Sequence, residues 1–281
     1  MAPLTFNVSK ATPLTFVARS RPGRVPGVHA LELSPDVVGG WLQLPGSATA
    51  ELLGSVGFGF VCVDQQHGLI GDDALLPMLQ ALAATATPAV VRVAENEPGA
   101  IGRALDRGAA GVIVPMVDTA EDAASAVSAC HHPPGGTRSY GPTRLAWTRT
   151  AAPPQCIVMI ETLAAVEAAP AIAAVDGLDA VFIGPWDLAL SAGVPPSAQL
   201  DDPGYEQLLR RVVAACQERG LPVGIYCASP AHVHRFRGLG FTFFALMSDA
   251  GMLHAAATTH LAAARKSAAA NVSRSWPFDS V

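Results

Sequence analysis

"DRGAAGVIV" (residues 106–114) closes one element and opens the next within nine residues. An amphipathic stretch ends at Gly108, a residue suited to stopping a helix, and the apolar run Val112 to Val114 follows almost at once. The same device recurs in "ERGLPVGIY" (218–226) and "GLGFTFFAL" (238–246). Working outward, short apolar runs bounded by Gly, Pro or Asp read as buried strands: "GWLQL" (40–44), "FVCVD" (60–64), "AVVRV" (89–93), "GVIVPM" (111–116), "CIVMIE" (156–161), "AVFIG" (180–184), "VGIYC" (223–227) and "FTFFALM" (241–247). Ala- and Leu-rich segments with helical spacing lie between them, such as "DDALLPMLQALAAT", "PGAIGRALDRG" and "TAEDAASAVSAC".

Eight near-continuous apolar strands, each followed by a helix, predict a parallel sheet covered on both faces. In about 240 residues that pattern fits a closed (β/α)8 TIM barrel. An open doubly wound sheet competes, but it normally carries a glycine-rich phosphate turn after its first strand. Here "LQLPGSATAE" has no such turn. The expected division is an N-terminal extension over residues 1–34, a barrel over 35–270 and a short tail over 271–281. The extension has several prolines and Arg19, Arg21 and Arg24 but no sustained periodicity, so it reads as a tail or a partner-wrapping arm.

Composition narrows the function. Half of the 281 residues are apolar, 15% are charged and the formal charge is −5, which argues against a nucleic-acid footprint. No apolar run reaches membrane-spanning length, and the start lacks the pattern of a secretory leader. Five scattered cysteines, Cys62 and Cys156 among apolar strand neighbours, fit a reduced, cytoplasmic protein.

In a barrel of this kind chemistry gathers at the C-terminal ends of the strands. Asp64 and His67 end the second strand, Arg92 lies in the third, Glu161 ends the fifth and Asp187 follows the sixth. Singly, each has an ordinary reading: Asp64 as a helix cap, Arg92 as a partner of some carboxylate, Asp187 as an N-cap. Together they place three acids, an imidazole and a guanidinium on one rim. Charged groups beside apolar strands are costly unless paired or metal-bound. Glu161 and Asp187 fall on adjacent strands and suit a hard divalent ion, which takes one or two protein carboxylates and leaves other positions to water and substrate. A 2-oxo acid could fill two of those positions and be polarised as an enolate. Arg92 could support that charge with its planar fork, while Asp64 orients His67 for proton transfer. Schiff-base chemistry has no candidate, because the only lysines are Lys10 and Lys266, one in each terminal region.

The chain resembles the HpcH/HpaI family, metal-dependent (class II) pyruvate aldolases that include the 2-keto-3-deoxy sugar-acid aldolases. The resemblance rests on "VDQQHG", "VVRVAENEPGAIGRALDRGAAGVIVPMV", "HPPGGTRSYGPTR", "MIETLAAVE" and "VDGLDAVFIGPWDLALSAG", in that order, and covers roughly residues 36 to 265. It implies Mg2+ or Mn2+ on Glu161 and Asp187, and a His67–Asp64 dyad for acid–base work through a metal-held water. It also implies Arg92 on the enolate, backbone amides around Pro185, Trp186 and Asp187 for the pyruvate carboxylate, and Trp41 lining the pocket. The implied reaction is cleavage of a 4-hydroxy-2-oxo acid to pyruvate and an aldehyde. Oxaloacetate decarboxylation with macrophomate synthase-like use of the enolate, a citrate lyase-like cleavage and a non-catalytic barrel are the alternatives. Homotrimers or homohexamers with an exchanged C-terminal helix are implied as well, here "DAGMLHAAATTHLAAARK". The chain departs from the sugar-acid enzymes at Gln66, where many carry an acid, at Met159, where glutamine is common, and at Trp186, where a small residue is usual. Those departures bear on the substrate more than on enolate chemistry.

Other candidates carry less. His131 and His132 read as surface residues, and His232 and His234 point apart on a predicted helix. Arg138 and Arg144 flank Tyr140 in a long loop that could bind an anionic substrate tail but reads rather as packing against a neighbouring subunit.

Overall fold

The computed structural model describes residues 25–33, 35–141, 143–150 and 152–267. Eight parallel strands close into one barrel. In order around it they are β2 (Val37–Leu42), β3 (Val61–Asp64), β4 (Ala89–Arg92), β5 (Gly111–Val114), β7 (Gln155–Ile160), β8 (Ala180–Ile183), β9 (Val223–Cys227) and β10 (Phe243–Ser248), which pairs back with β2. All eight expected strands are present, with ends shifted by a few residues, and the (β/α)8 expectation holds.

The crossovers are α1 (Ser47–Ser55), α2 (Asp72–Ala84), α3 (Pro98–Asp106), α4 (Ala120–Cys130) and α5 (Leu163–Ile172), then α7 (Pro203–Glu218) and α8 (Pro230–Leu239). A short extra helix, α6 (Pro185–Ser191), precedes α7 in the link from β8 to β9. It makes nine helices among the described residues where eight were expected. The last, α9 (Asp249–Ser267), follows β10.

Two apolar layers result from strand alternation. Val61 and Val63, with their counterparts on the other strands, face the helices. Phe60, Cys62, Phe182 and Phe243 face inward with Trp41 and fill the barrel. Phe60 and Phe243 meet edge to face at 6.2 Å, and they fit because Gly39 and Gly224 stand opposite: a Cβ at either glycine would collide with a ring.

Part of the segment read as an extension belongs to the folded unit. β1 (Val25–Val28) pairs in parallel with β6 (Thr148–Thr150) outside the barrel. Leu31 is buried in the barrel's inner cluster, and its carbonyl accepts from Gln155 Nε2 at 2.8 Å, at the N-terminal end of β7. Residues 1–24 and the tail over 271–281 lie outside the described residues. Among the described residues no helix is long and apolar enough to cross a membrane.

The loop "HPPGGTRSYGPTR" packs against its own chain. Arg138 pairs with Asp106 of α3, and Arg144 donates to the Arg107 carbonyl.

Candidate active site at the C-terminal rim

β3 and β4 run in register so that Asp64 stands beside Arg92 at their C-terminal ends. Their side chains meet as a two-point pair, Arg92 Nε to Asp64 Oδ1 at 2.8 Å and Nη2 to Oδ2 at 2.6 Å. Asp64 is fully buried and Arg92 nearly so. Oδ2 also accepts from the Trp41 indole at 3.2 Å, and Oδ1 from the backbone N–H groups of Gln66 and His67 at 3.0 and 3.2 Å. Burial would raise the Asp64 carboxyl, but the Arg92 fork and these N–H donors hold it below its ordinary value.

This arrangement corrects one expectation. Asp64 does not grip the His67 imidazole; it holds the His67 backbone and gives both oxygens to Arg92. The reason is reach: neighbouring strands in register bring Arg92 to the carboxylate, whereas the turn from Asp64 back to the His67 N–H sends the ring outward. His67 is exposed and lines the cavity described below. Asp64 caps no helix either, since α2 begins after Gly71.

Glu161 follows β7 directly and is 1% exposed. Its Oε1 accepts the Met116 N–H at 2.7 Å. Met116 carries a φ of 54°, the left-handed region that a non-glycine residue rarely takes. Among the described residues no Lys or Arg forms an ion pair with Glu161. Burial pushes its carboxyl up to about 6, with further help from the charges of Asp187 and Asp118, against the Met116 bond and the charge of Arg92. Asp187 sits in the first turn of α6 and is exposed; Gly184, not Asp187, is the N-cap. A Cβ at Gly184 would lie 2.5 Å from Glu161 Oε2, so the glycine keeps that oxygen's surroundings clear.

Two carboxylates without a cation, one of them buried with an uncommitted oxygen, fit a hard divalent ion. Among the described residues no group of three or more His, Cys, Asp or Glu is arranged to hold a metal, so any ion here relies on these two acids plus water or substrate.

One cavity of about 310 Å³ joins these parts. Trp41, His67, Arg92, Pro185, Trp186 and Asp187 line it, and Glu161 and Asp64 are buried. Gln43, Met159 and Tyr226 line it too. Gln43 and Tyr226 were missed, although both lie at or just past the C-terminal end of a strand, where a polar side chain is a usable signal. Met116 was missed because a backbone donor leaves no mark in residue type.

Comparison with known proteins places the chain in a family. The family model for HpcH/HpaI aldolase/citrate lyase matches residues 38–256. A hydroxypyruvate/pyruvate aldolase from Rhizorhabdus wittichii is 36% identical over 233 residues, 80% of this chain and 93% of that one. A 2-dehydro-3,6-dideoxy-6-sulfogluconate aldolase from Pseudomonas putida is 36% identical over 235 residues, 80% of this chain and 91% of the other. Among solved structures, an HpcH/HpaI aldolase/citrate lyase family protein from Burkholderia cenocepacia superposes with a TM-score of 0.76 at 31% identity, covering 83% of this chain and 95% of its own. The chain therefore belongs to the HpcH/HpaI aldolase/citrate lyase family and is a lyase of its aldolase kind.

Proposed function

We propose that the chain cleaves a 4-hydroxy-2-oxo acid reversibly to pyruvate and an aldehyde, with Mg2+ or Mn2+ held by Glu161 and Asp187. The observation that carries this reading is the buried Glu161, in no ion pair among the described residues, beside the cavity that His67 and Arg92 share. A bound ion would supply Lewis-acid polarisation of the 2-oxo group. The rest falls to this chain's own residues. Trp186 and Asp187 offer first-turn N–H groups of α6 to the substrate carboxylate. His67 takes the proton from the 4-hydroxyl. The C3–C4 bond breaks, C4 leaves as the aldehyde carbonyl, and the electron pair stays on the pyruvate half as its enolate. Arg92 spends Nε and Nη2 on Asp64, which leaves Nη1 to face that negative charge. A proton returned to C3 gives the methyl group of pyruvate.

The setting we infer is cytoplasmic, supported by five buried, unpaired cysteines. The assembly we infer is a homotrimer or homohexamer. α9 supports it: after its first turn the helix leaves the barrel, with Leu253 63% and Leu261 52% exposed. Nineteen residues at about 1.5 Å each make a rod of roughly 28 Å that a neighbour can cover. Light scattering at micromolar concentration should give three or six chains; a monomer contradicts this.

Enzyme stripped with EDTA should lose retro-aldol turnover and regain it with Mg2+ or Mn2+. His67→Ala should lower kcat by ~10²–10⁴-fold at unchanged melting temperature. Full activity after EDTA, or wild-type turnover by the His67 variant, defeats the reading. Faster release of carbon dioxide from oxaloacetate than retro-aldol turnover would favour the decarboxylase alternative.

Glu161 gives a test that needs no substrate. Its folded value of about 6 lies above the ordinary 4.5, so the metal-free native state binds this proton more tightly than the unfolded chain does. Its stability contribution is present at low pH and fades as pH rises through 4.5 to 6, by about 2 kcal/mol at neutrality. Glu161→Gln keeps an acceptor for Met116 and removes that cost. Without metal, the variant should be the more stable protein at pH 7.5 by up to about 2 kcal/mol, with the difference vanishing below pH ~4.5. Added Mn2+ should raise the melting temperature of the wild type only. A variant less stable than wild type at pH 7.5 would contradict the account of Glu161.

A further inference from the structure

We propose that the aldehyde half of the substrate lies against a wall made by Trp186 and Tyr226, and that this wall selects a neutral aldehyde bearing a flat apolar group, such as a phenyl ring, over an acid aldehyde. The inference rests on the aldol reading above and adds the substrate class.

Glu161, Asp187, His67 and Arg92 account for the pyruvate half. Trp41, 5.0 Å from the Arg92 guanidinium, starts a run of three aromatic rings that leads away to the exposed Trp186. Trp41 is buried, Tyr226 meets it edge to face at 5.6 Å, and Trp186 tilts against Tyr226 at 5.1 Å. Trp186 remains 45% exposed although it touches the cavity. A large apolar ring left in water at a pocket mouth gains from any flat apolar surface laid on it. Met159 extends the apolar character along the floor.

Charge points the same way. Arg92 is the only Lys or Arg lining this cavity among the described residues, and its fork is engaged by Asp64. A second carboxylate, carried on the aldehyde, would find Asp187 and Glu161 nearby and, among the described residues lining the cavity, no Lys or Arg besides Arg92. Desolvating such a group without a partner is strongly unfavourable. A phenyl group meets no such cost.

The test uses the full-length protein with Mn2+, pyruvate and three aldehydes: benzaldehyde, succinic semialdehyde and glyceraldehyde. Exchange of pyruvate methyl protons into deuterated water is followed in parallel, because it reports enolate formation without any aldehyde. Benzaldehyde should give a kcat/KM at least tenfold above succinic semialdehyde. Trp186→Ala should lower kcat/KM for benzaldehyde at least tenfold more than it lowers the methyl exchange rate, chiefly through KM, and Trp186→Phe should restore most of the loss. Methyl exchange together with a preference for the acid aldehyde overturns this inference and leaves the aldol reading standing, as does an equal loss of exchange and benzaldehyde addition in Trp186→Ala. Absence of methyl exchange in the wild type overturns the aldol reading itself, and this inference with it.

Discussion

A carboxylate and a guanidinium buried side by side at the ends of two neighbouring strands set the shape of everything at the mouth of this barrel. Asp64 and Arg92 are register partners, so closing the barrel forces them together. Desolvating both is expensive, and the expense is offset only if every oxygen and most N–H groups find partners. Asp64 meets that condition with Arg92, Trp41, Gln43 and the backbone of the loop that follows. Satisfying the carboxylate therefore fixes where Trp41 lies and how the chain leaves β3. It also points His67 into the cavity. The Arg92 guanidinium lies 5.0 Å from the centroid of the Trp41 ring, so cation and aromatic floor are held as one unit.

Glu161 is the opposite case. It is almost as buried as Asp64, yet its polar support is one backbone N–H, drawn from a residue in strained conformation. One carboxylate of the rim is thus fully neutralised by the fold and another is left wanting a positive charge. That contrast separates an acid the fold satisfies from one left to take the ion we propose. It follows from local environment, since the two residue types are nearly identical in chemistry.

Much of this was legible in the sequence because a parallel barrel repeats one simple pattern. Apolar runs such as "CIVMIE" must be buried strands, and a charge at the end of each must sit on the same rim. What escaped was whatever depends on contacts between distant segments. β1 and β6 are four- and three-residue strands, the first containing Pro26 and Gly27, too short to show a period. Leu31 looks like any loop leucine until the barrel floor receives it. The spacing of Asp64 and His67 suggested a side-chain dyad, but strand register gave the carboxylate to Arg92, and register between strands cannot be read along one of them. α6 was hidden inside a stretch read as a loop, although it carries Trp186 and Asp187.

The most direct test of this account is a double-mutant cycle between Asp64 and Arg92, measured by urea unfolding of metal-free protein at pH 7.5. Asp64→Asn and Arg92→Met should each cost about 3–5 kcal/mol, since each strands a buried partner. The double variant should cost little more than either alone, giving a coupling of about 3 kcal/mol or somewhat more. Costs that simply add, with coupling below about 0.5 kcal/mol, would show that the pair does not organise the rim.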